Sequence, residues 1–266
     1  MIVIGEKINS TLKVIKHLIE SNNSVEIQEI AKKQYEAGAS YIDINARTFS
    51  DNEPEKLEWI ISTIQNVIDI PFSIATTNPK ALEKALNANQ NGQPIVNSIT
   101  DEKDRYDSLL PLAVKYKTGV IALCMDESGM PETVDESIKI AHRLVRKLSD
   151  SGIPMKDIYL DPMVRAIGSG SQHGIMALES ISKLKKEFPG AHITCGISNI
   201  SFGIPARKLM NQAFLVAALS AGLDSGILDP LDKKLMSSLY AAEALLGIDD
   251  FCMEYQMKFR EGLLDT

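Results

Sequence analysis

Eight times along this chain, a short run of β-branched residues is followed by a longer stretch with apolar residues at helical spacing. Few folds satisfy that order. The first run covers residues 2–8. Val25, Ile27, Ile30, Ala31 and Tyr35 then mark out a helix over 25–37, which Gly38 closes. Further strands are expected over 41–45, 71–77, 95–99, 120–125, 158–163, 192–198 and 225–228. Helices are expected over 54–68, from Pro79 behind an Asn78 cap, and near 104–117, 133–149, 174–188, 205–221 and 231–246. A last amphipathic stretch covers 251–264. Alternation of this kind implies parallel strands joined by helical crossovers. An open doubly wound sheet is the rival. Regular units of about 30 residues, with no break between halves, favour closure into one α/β barrel, the (β/α)8 or TIM barrel. The length of 266 residues suits a single domain over 1–266. The most flexible-looking loop is Gly168-Ser169-Gly170-Ser171, just past a strand.

Composition removes several classes of function. With 44% hydrophobic and 24% charged residues the chain reads as globular. A net charge of −7 and the lack of a basic stripe argue against nucleic acid. The cations Lys183, Lys185 and Lys186 fall late in a helix, where the dipole favours them. No apolar run approaches the roughly 18 residues of a membrane span. No signal peptide is expected at the N-terminus. Cys124, Cys195 and Cys252 are widely spaced, which suits a reducing cytoplasm and makes neither a disulfide framework nor a zinc pattern. His17, His142, His173 and His192 are scattered and read as solvated or core residues. No bound metal is expected.

In a barrel of this type, residues at the strand C-termini face one mouth. Those positions hold Glu6 and Asn9, Asp43 and Asn45, Asn97 and Ser98, Asp126, Asp161, then Gly196, Ser198 and Asn199, with Arg207 one turn into the next helix and Asp224 and Asp229 about the last strand. An Asp or Asn after a strand is as often a turn former or helix cap, and Asp126 and Asp229 read that way. Asn97 and Asp161 differ because each interrupts an apolar strand, where an unpaired polar group is costly. A ring rich in Asn and Asp suits a flat heterocycle. A carboxylate accepts two parallel hydrogen bonds from an amino-pyrimidinone edge, and an amide both donates and accepts.

The runs Gly5-Glu6-Lys7-Ile8-Asn9, Tyr41-Ile42-Asp43-Ile44-Asn45-Ala46, Thr77-Asn78-Pro79, Val96-Asn97-Ser98, Leu160-Asp161-Pro162 and Gly196 to Gly203 with Arg207 carry a resemblance. In this order they resemble the pterin-binding methyltetrahydrofolate:corrinoid protein methyltransferases, related to the folate domain of cobalamin-dependent methionine synthase. The resemblance covers essentially the whole chain. It implies tetrahydrofolate or methyltetrahydrofolate as substrate, held by Asn97 and Asp161 and lined by Gly196, Ser198 and Arg207. Asn199 matches the family's Asn that hydrogen-bonds N5 of the pterin and is the expected catalytic residue. Glu6, Asn9, Asp43 and Asn45 are further candidates. The resemblance implies methyl transfer between N5 and the cobalt of a corrinoid, in a direction it leaves open. The chain lacks the corrinoid-binding signature Asp-x-His-x-x-Gly, so the corrinoid is expected on a separate partner protein. One position departs from the pattern. Ala75 stands where the family typically has an Asp that contacts the pterin. Losing a charged partner costs roughly 1.5–3 kcal/mol. Dihydropteroate synthase, or a folate-binding protein with impaired turnover, are the alternative readings. The family often forms homodimers, and the apolar helix around Ala213 to Leu219 offers either a face for one or ordinary barrel packing.

Overall fold

The computed structural model describes residues 1–265; the end of the expected domain, Thr266, lies outside them. Among the described residues, eight parallel strands form a ring. They are β1 (Ile2–Asn9), β2 (Tyr41–Asn45), β3 (Phe72–Ala75), β4 (Ile95–Ile99), β5 (Gly119–Leu123), β6 (Ile158–Asp161), β7 (His192–Ile193) and β8 (Ser225–Leu228). From β1 to β7 each strand pairs with the next, and β1 also pairs with β8. A single bridge from Gly196 to Ile227 links the β7 turn to β8.

Closure follows from the inner packing. Ile4, Ile95, Ile121 and Tyr159 form one buried cluster, yet they come from β1, β4, β5 and β6. In a flat sheet of this order those strands could not meet; in a ring they fill the interior. The second and larger core lies between the strands and the surrounding helices, with Ile42, Ile44, Phe72, Ile74, Val96 and Leu160 on the outer strand faces.

The helices are α1 (Lys13–Glu20), α2 (Ser24–Glu36), α3 (Glu53–Gln65), α4 (Pro79–Ala88), α5 (Lys103–Lys115), α6 (Val134–Asp150), α7 (His173–Glu187), α8 (Arg207–Ala221), α9 (Lys233–Leu245) and α10 (Met253–Arg260). Their starts follow local chemistry. Asn78 Oδ1 accepts from the amides of Lys80 and Ala81 ahead of Pro79. Thr133 and Glu136 form a complete capping box on α6.

The structure corrects several boundaries. Helix α1 lies where no element was expected. The stretch expected over 54–68 ends at Gln65. Strands β3, β5 and β6 leave the ladder earlier than expected, and β7 keeps only His192 and Ile193. The cause is polar side chains that cap the outgoing backbone. Thr76 Oγ1 accepts from Asn78 N, and Asp161 Oδ1 from Met163 N. Residues 197–201, expected to end and follow β7, form a 3-10 turn. Arg207 is the first residue of α8, not one turn inside it. Of the apolar run on α8, Phe214, Leu215, Ala218 and Leu219 are buried in the barrel, while Val216 is exposed. In the 251–264 stretch, α10 buries no residue. No described helix is long and apolar enough to cross a membrane.

Candidate active site

Strand register builds the mouth. Asn45, Ala75, Asn97, Ile121 and Tyr159 lie side by side around the ring. Ile121 and Tyr159 belong to the interior plug, so Asn45, Ala75 and Asn97 share their inward face. Asp161 lies two residues above Tyr159 on the same face and is paired in register with Leu123. The polar ring is therefore the layer that caps the apolar interior.

Asp43 and Ser73 are paired across β2 and β3. Ser73 Oγ donates to Asp43 Oδ1 at 2.7 Å, and Asn97 Nδ2 donates to the same oxygen at 2.9 Å. Burial raises the Asp43 carboxyl above its usual range, against these two hydrogen bonds and the charge of Arg47. With its N–H2 turned to Asp43, Asn97 keeps its carbonyl for an incoming N–H. A register shift at Ser98 bends β4 here. Arg105 holds the bend, donating to Ser98 O at 3.2 Å and Ser98 Oγ at 2.8 Å.

Asp161 is only 7% exposed. Its one protein donor among the described residues is Met163 N at 2.8 Å. Burial pushes its pKa up to about 7. Most of its acceptor capacity is thus unused, which fits two parallel donors from a heterocycle. Cys124 and Cys195 are buried beside it, and burial, then the Asp161 charge, drives both thiols upward. They are packing residues, inert as nucleophiles.

Strand β1 bulges between Gly5 and Ile8. Gln34 of α2 causes this, because its Oε1 accepts from Lys7 N at 3.0 Å. A Cβ on Gly5 would sit 2.5 Å from that oxygen, so any larger residue here would push Gln34 off the Lys7 amide. The bulge gives Glu6 and Lys7 intermediate burial instead of strict alternation. Lys7 Nζ meets Asp229 Oδ2 at 3.0 Å. Burial, then the negative Asp229, pushes Glu6 up to about 7, while a contact from Ser198 Oγ at 3.4 Å opposes the shift.

The 3-10 turn Ile197–Ser201 presents Asn199. Arg207 clamps it from α8, with Nη2 donating to Ser198 O at 2.8 Å and Nε to Ser201 Oγ at 3.1 Å. Ala206, at φ 52, is the left-handed residue that turns Arg207 back toward the turn. The Asn199 side chain is exposed and lies against Gly196, where a Cβ would be 2.9 Å from Nδ2. Asn199 and Phe202 line a cavity of about 680 Å³ with Val164, Arg165 and His173.

Of the sequence candidates, Asp43, Ala75, Asn97 and Asp161 share the inner layer. Glu6, Ser198, Arg207 and Asn199 converge from the β1 bulge and the β7 turn, beside Gly196. Asn9 and Asn45 make local turns, accepting from Thr11 N and Arg47 N. Asp126 and Asp229 do the same with Ser128 N and Leu231 N. Ser73, Arg105 and Phe202 were missed. Ser73 carried a readable signal, since it interrupts apolar β3 as Asn97 and Asp161 interrupt their strands. Among the described residues, no group of three or more His, Cys, Asp or Glu is placed to hold a metal ion.

Residues 6–229 match the pterin binding enzyme family. Over 264 residues the chain is 35% identical to the methylcorrinoid:tetrahydrofolate methyltransferase of Eubacterium limosum, covering 98% of this chain and 97% of that protein. It is 28% identical over 240 residues to the methionine synthase of Mycobacterium leprae, covering 85% of this chain but 20% of that longer protein. The fold is similar to dihydropteroate synthase from Xanthomonas albilineans bound to 7,8-dihydropteroate, with TM-score 0.72, 16% identity and 94% of each chain covered. Dihydropteroate synthase from Yersinia pestis is likewise similar, with TM-score 0.70, 18% identity, and 92% and 93% covered.

Proposed function

Because the chain belongs to the pterin binding enzyme family, we propose that its barrel mouth holds tetrahydrofolate and carries a methyl group between N5 and a corrinoid. The chain is a methyltransferase, as is its near full-length relative by name. On this reading the corrinoid is borne by a separate protein and docks over Asn199. The observation that carries the pterin reading is Asp161, a buried carboxylate with most of its acceptor capacity unused. The amino-pyrimidinone edge donates to Asp161, and Asn97 Oδ1 accepts a further ring N–H.

The relative's name gives a direction, from methylcorrinoid to tetrahydrofolate, and we adopt it here. The lone pair of N5 forms the new bond to the methyl carbon. The methyl–cobalt bond breaks with its pair left on the cobalt, and N5 then releases its proton. Asn199 can follow N5 through this change because an amide both donates and accepts. A hydrogen bond that strengthens in the transition state raises the rate and leaves ground-state affinity nearly unchanged. A homodimer belongs to the same reading, with exposed Leu245, Phe251 and Phe259 supplying apolar surface outside α8.

The test is the cobalt absorption spectrum of a methylated corrinoid protein mixed with this chain, with and without tetrahydrofolate. Demethylation only with both present supports the assignment; an unchanged spectrum overturns it.

Ala75 gives a second expected outcome. It is 2% exposed and flanked in register by Asn45 and Asn97. A carboxylate there would face the pterin and restore a charged acceptor. Ala75→Asp is expected to tighten tetrahydrofolate binding by about ten-fold or more, measured by calorimetry. No gain would mean Ala75 does not contact the pterin.

A further inference from the structure

Two cavities of different character flank the turn that presents Asn199. On the β8–β1 side, one of about 360 Å³ is lined by Glu6, Lys7, Arg207, Lys208, Asp229 and Asp232 among others. On the β5–β6 side lies the cavity of about 680 Å³ that Asn199 and Phe202 share. Its charges are satisfied among the described residues. Arg165 meets Glu132 at 2.9 Å and donates to Met130 O at 3.0 Å. His173 Nδ1 lies 2.9 Å from Ala166 O. Met130 and Val164 add apolar wall.

An exposed aromatic residue is common and by itself says little. Phe202 differs in its place. It is 70% exposed, three residues past Asn199, and its amide donates to Asn199 O at 3.2 Å. Its ring centre lies 5.8 Å from the guanidinium carbon of Arg207, the residue that clamps the same turn. The loop after β6 packs against its backbone, since a Cβ on Gly168 would sit 3.6 Å from Phe202 O and 3.0 Å from Ile204 Cγ2. The backbone of Phe202 is therefore held from two sides, while its ring faces the neutral cavity uncovered.

We propose that Phe202 seats the corrin macrocycle itself, its ring packing against the apolar face of the corrin and so setting the cobalt over N5. The inference rests on the methyltransferase reading of the mouth and deepens it by naming where the corrin lies. In-line transfer leaves one methyl group between cobalt and N5. The corrin plane is far wider than that gap, so it must cover what stands beside Asn199. A corrin is apolar on its faces and fringed with neutral amides. Over the charged cavity it would strip water from ions and return no partner, which is costly. Over the neutral cavity it covers Phe202, Met130 and Val164. The macrocycle therefore lies on the side of the β5 and β6 loops, with Phe202 beneath it.

The experiment follows cobalt absorbance under saturating tetrahydrofolate with two methyl donors, a methylated corrinoid protein and free methylcobalamin. Phe202→Ala is expected to raise the KM for both donors about ten-fold, with kcat falling by less. The Kd for tetrahydrofolate, measured by calorimetry, should stay at the wild-type value. Phe202→Tyr keeps the aromatic face and should restore KM. A KM rise confined to the carried corrinoid overturns the proposal and assigns Phe202 to the partner's polypeptide. A fall in kcat with KM unchanged also overturns it, because Phe202 then acts only by supporting Asn199 and Arg207. A weakened Kd for tetrahydrofolate overturns it in favour of a contact with the pterin. So does a wild-type chain that demethylates the corrinoid protein but not free methylcobalamin. If wild type uses both donors and Phe202→Ala matches it, the methyltransferase reading stands and only this inference falls. If wild type demethylates neither donor, both fall.

Discussion

Asp161→Asn is expected to weaken tetrahydrofolate binding by about 100-fold or more. In the proposed site the carboxylate receives two hydrogen bonds from the pterin, each worth roughly 1.5–3 kcal/mol when one partner is charged. Asparagine replaces one acceptor with a donor and sets it against a donor on the ligand. Stability should move the opposite way. Burial pushes the folded-state pKa of Asp161 up to about 7, above the 3.8 usual for an aspartate. The folded protein therefore holds the proton more tightly than the unfolded chain. This group's penalty is absent below the unfolded value and grows as pH rises toward 7. Asp161→Asn removes that penalty, so the ligand-free variant should melt higher than wild type at pH 8. The same titration predicts that wild-type affinity for the pterin rises as pH climbs through 7, and that the variant loses this dependence. Calorimetry and thermal melts across pH check all three. A variant that binds normally would remove Asp161 from the site.

Asn199→Ala is expected to lower kcat by about 100-fold or more while leaving the Kd for tetrahydrofolate within a few-fold of wild type. Removing one preorganised transition-state hydrogen bond has an effect of this order. The split between rate and affinity identifies the role, because a group that bound substrate and transition state equally would weaken affinity and leave kcat unchanged. Arg207 and Gly196 position this residue without replacing it. Single-turnover cobalt spectra give the rate, and calorimetry gives the affinity. An unchanged rate would leave the transferred methyl without a protein partner at N5.

The alternation of β-branched runs with amphipathic stretches was enough to determine the barrel. Each strand must bury one face against helices and the other against its fellows, and a ring of eight does both. Asn97 and Asp161 stood out in the sequence, since polar residues that interrupt apolar strands are costly without a purpose; Asn199 was singled out only through the family resemblance. Boundaries were less legible. Turns made by Thr76 and Asp161 ended strands that propensity alone would have continued. Helix α1 was missed although apolar Ile15 and Ile19 anchor it at helical spacing.

Other features existed only once the chain closed. The bulge that sets Glu6 into the mouth depends on Gln34, which arrives from α2 to take the Lys7 amide. The Ser73–Asp43–Asn97 cluster joins three strands whose members are remote in sequence. Burial, not residue identity, lifts Glu6 and Asp161 to about 7. Local pattern fixes which residues face inward, because backbone geometry sets the period. Tertiary contact alone decides what they meet there, and so their charge and hydrogen bonds.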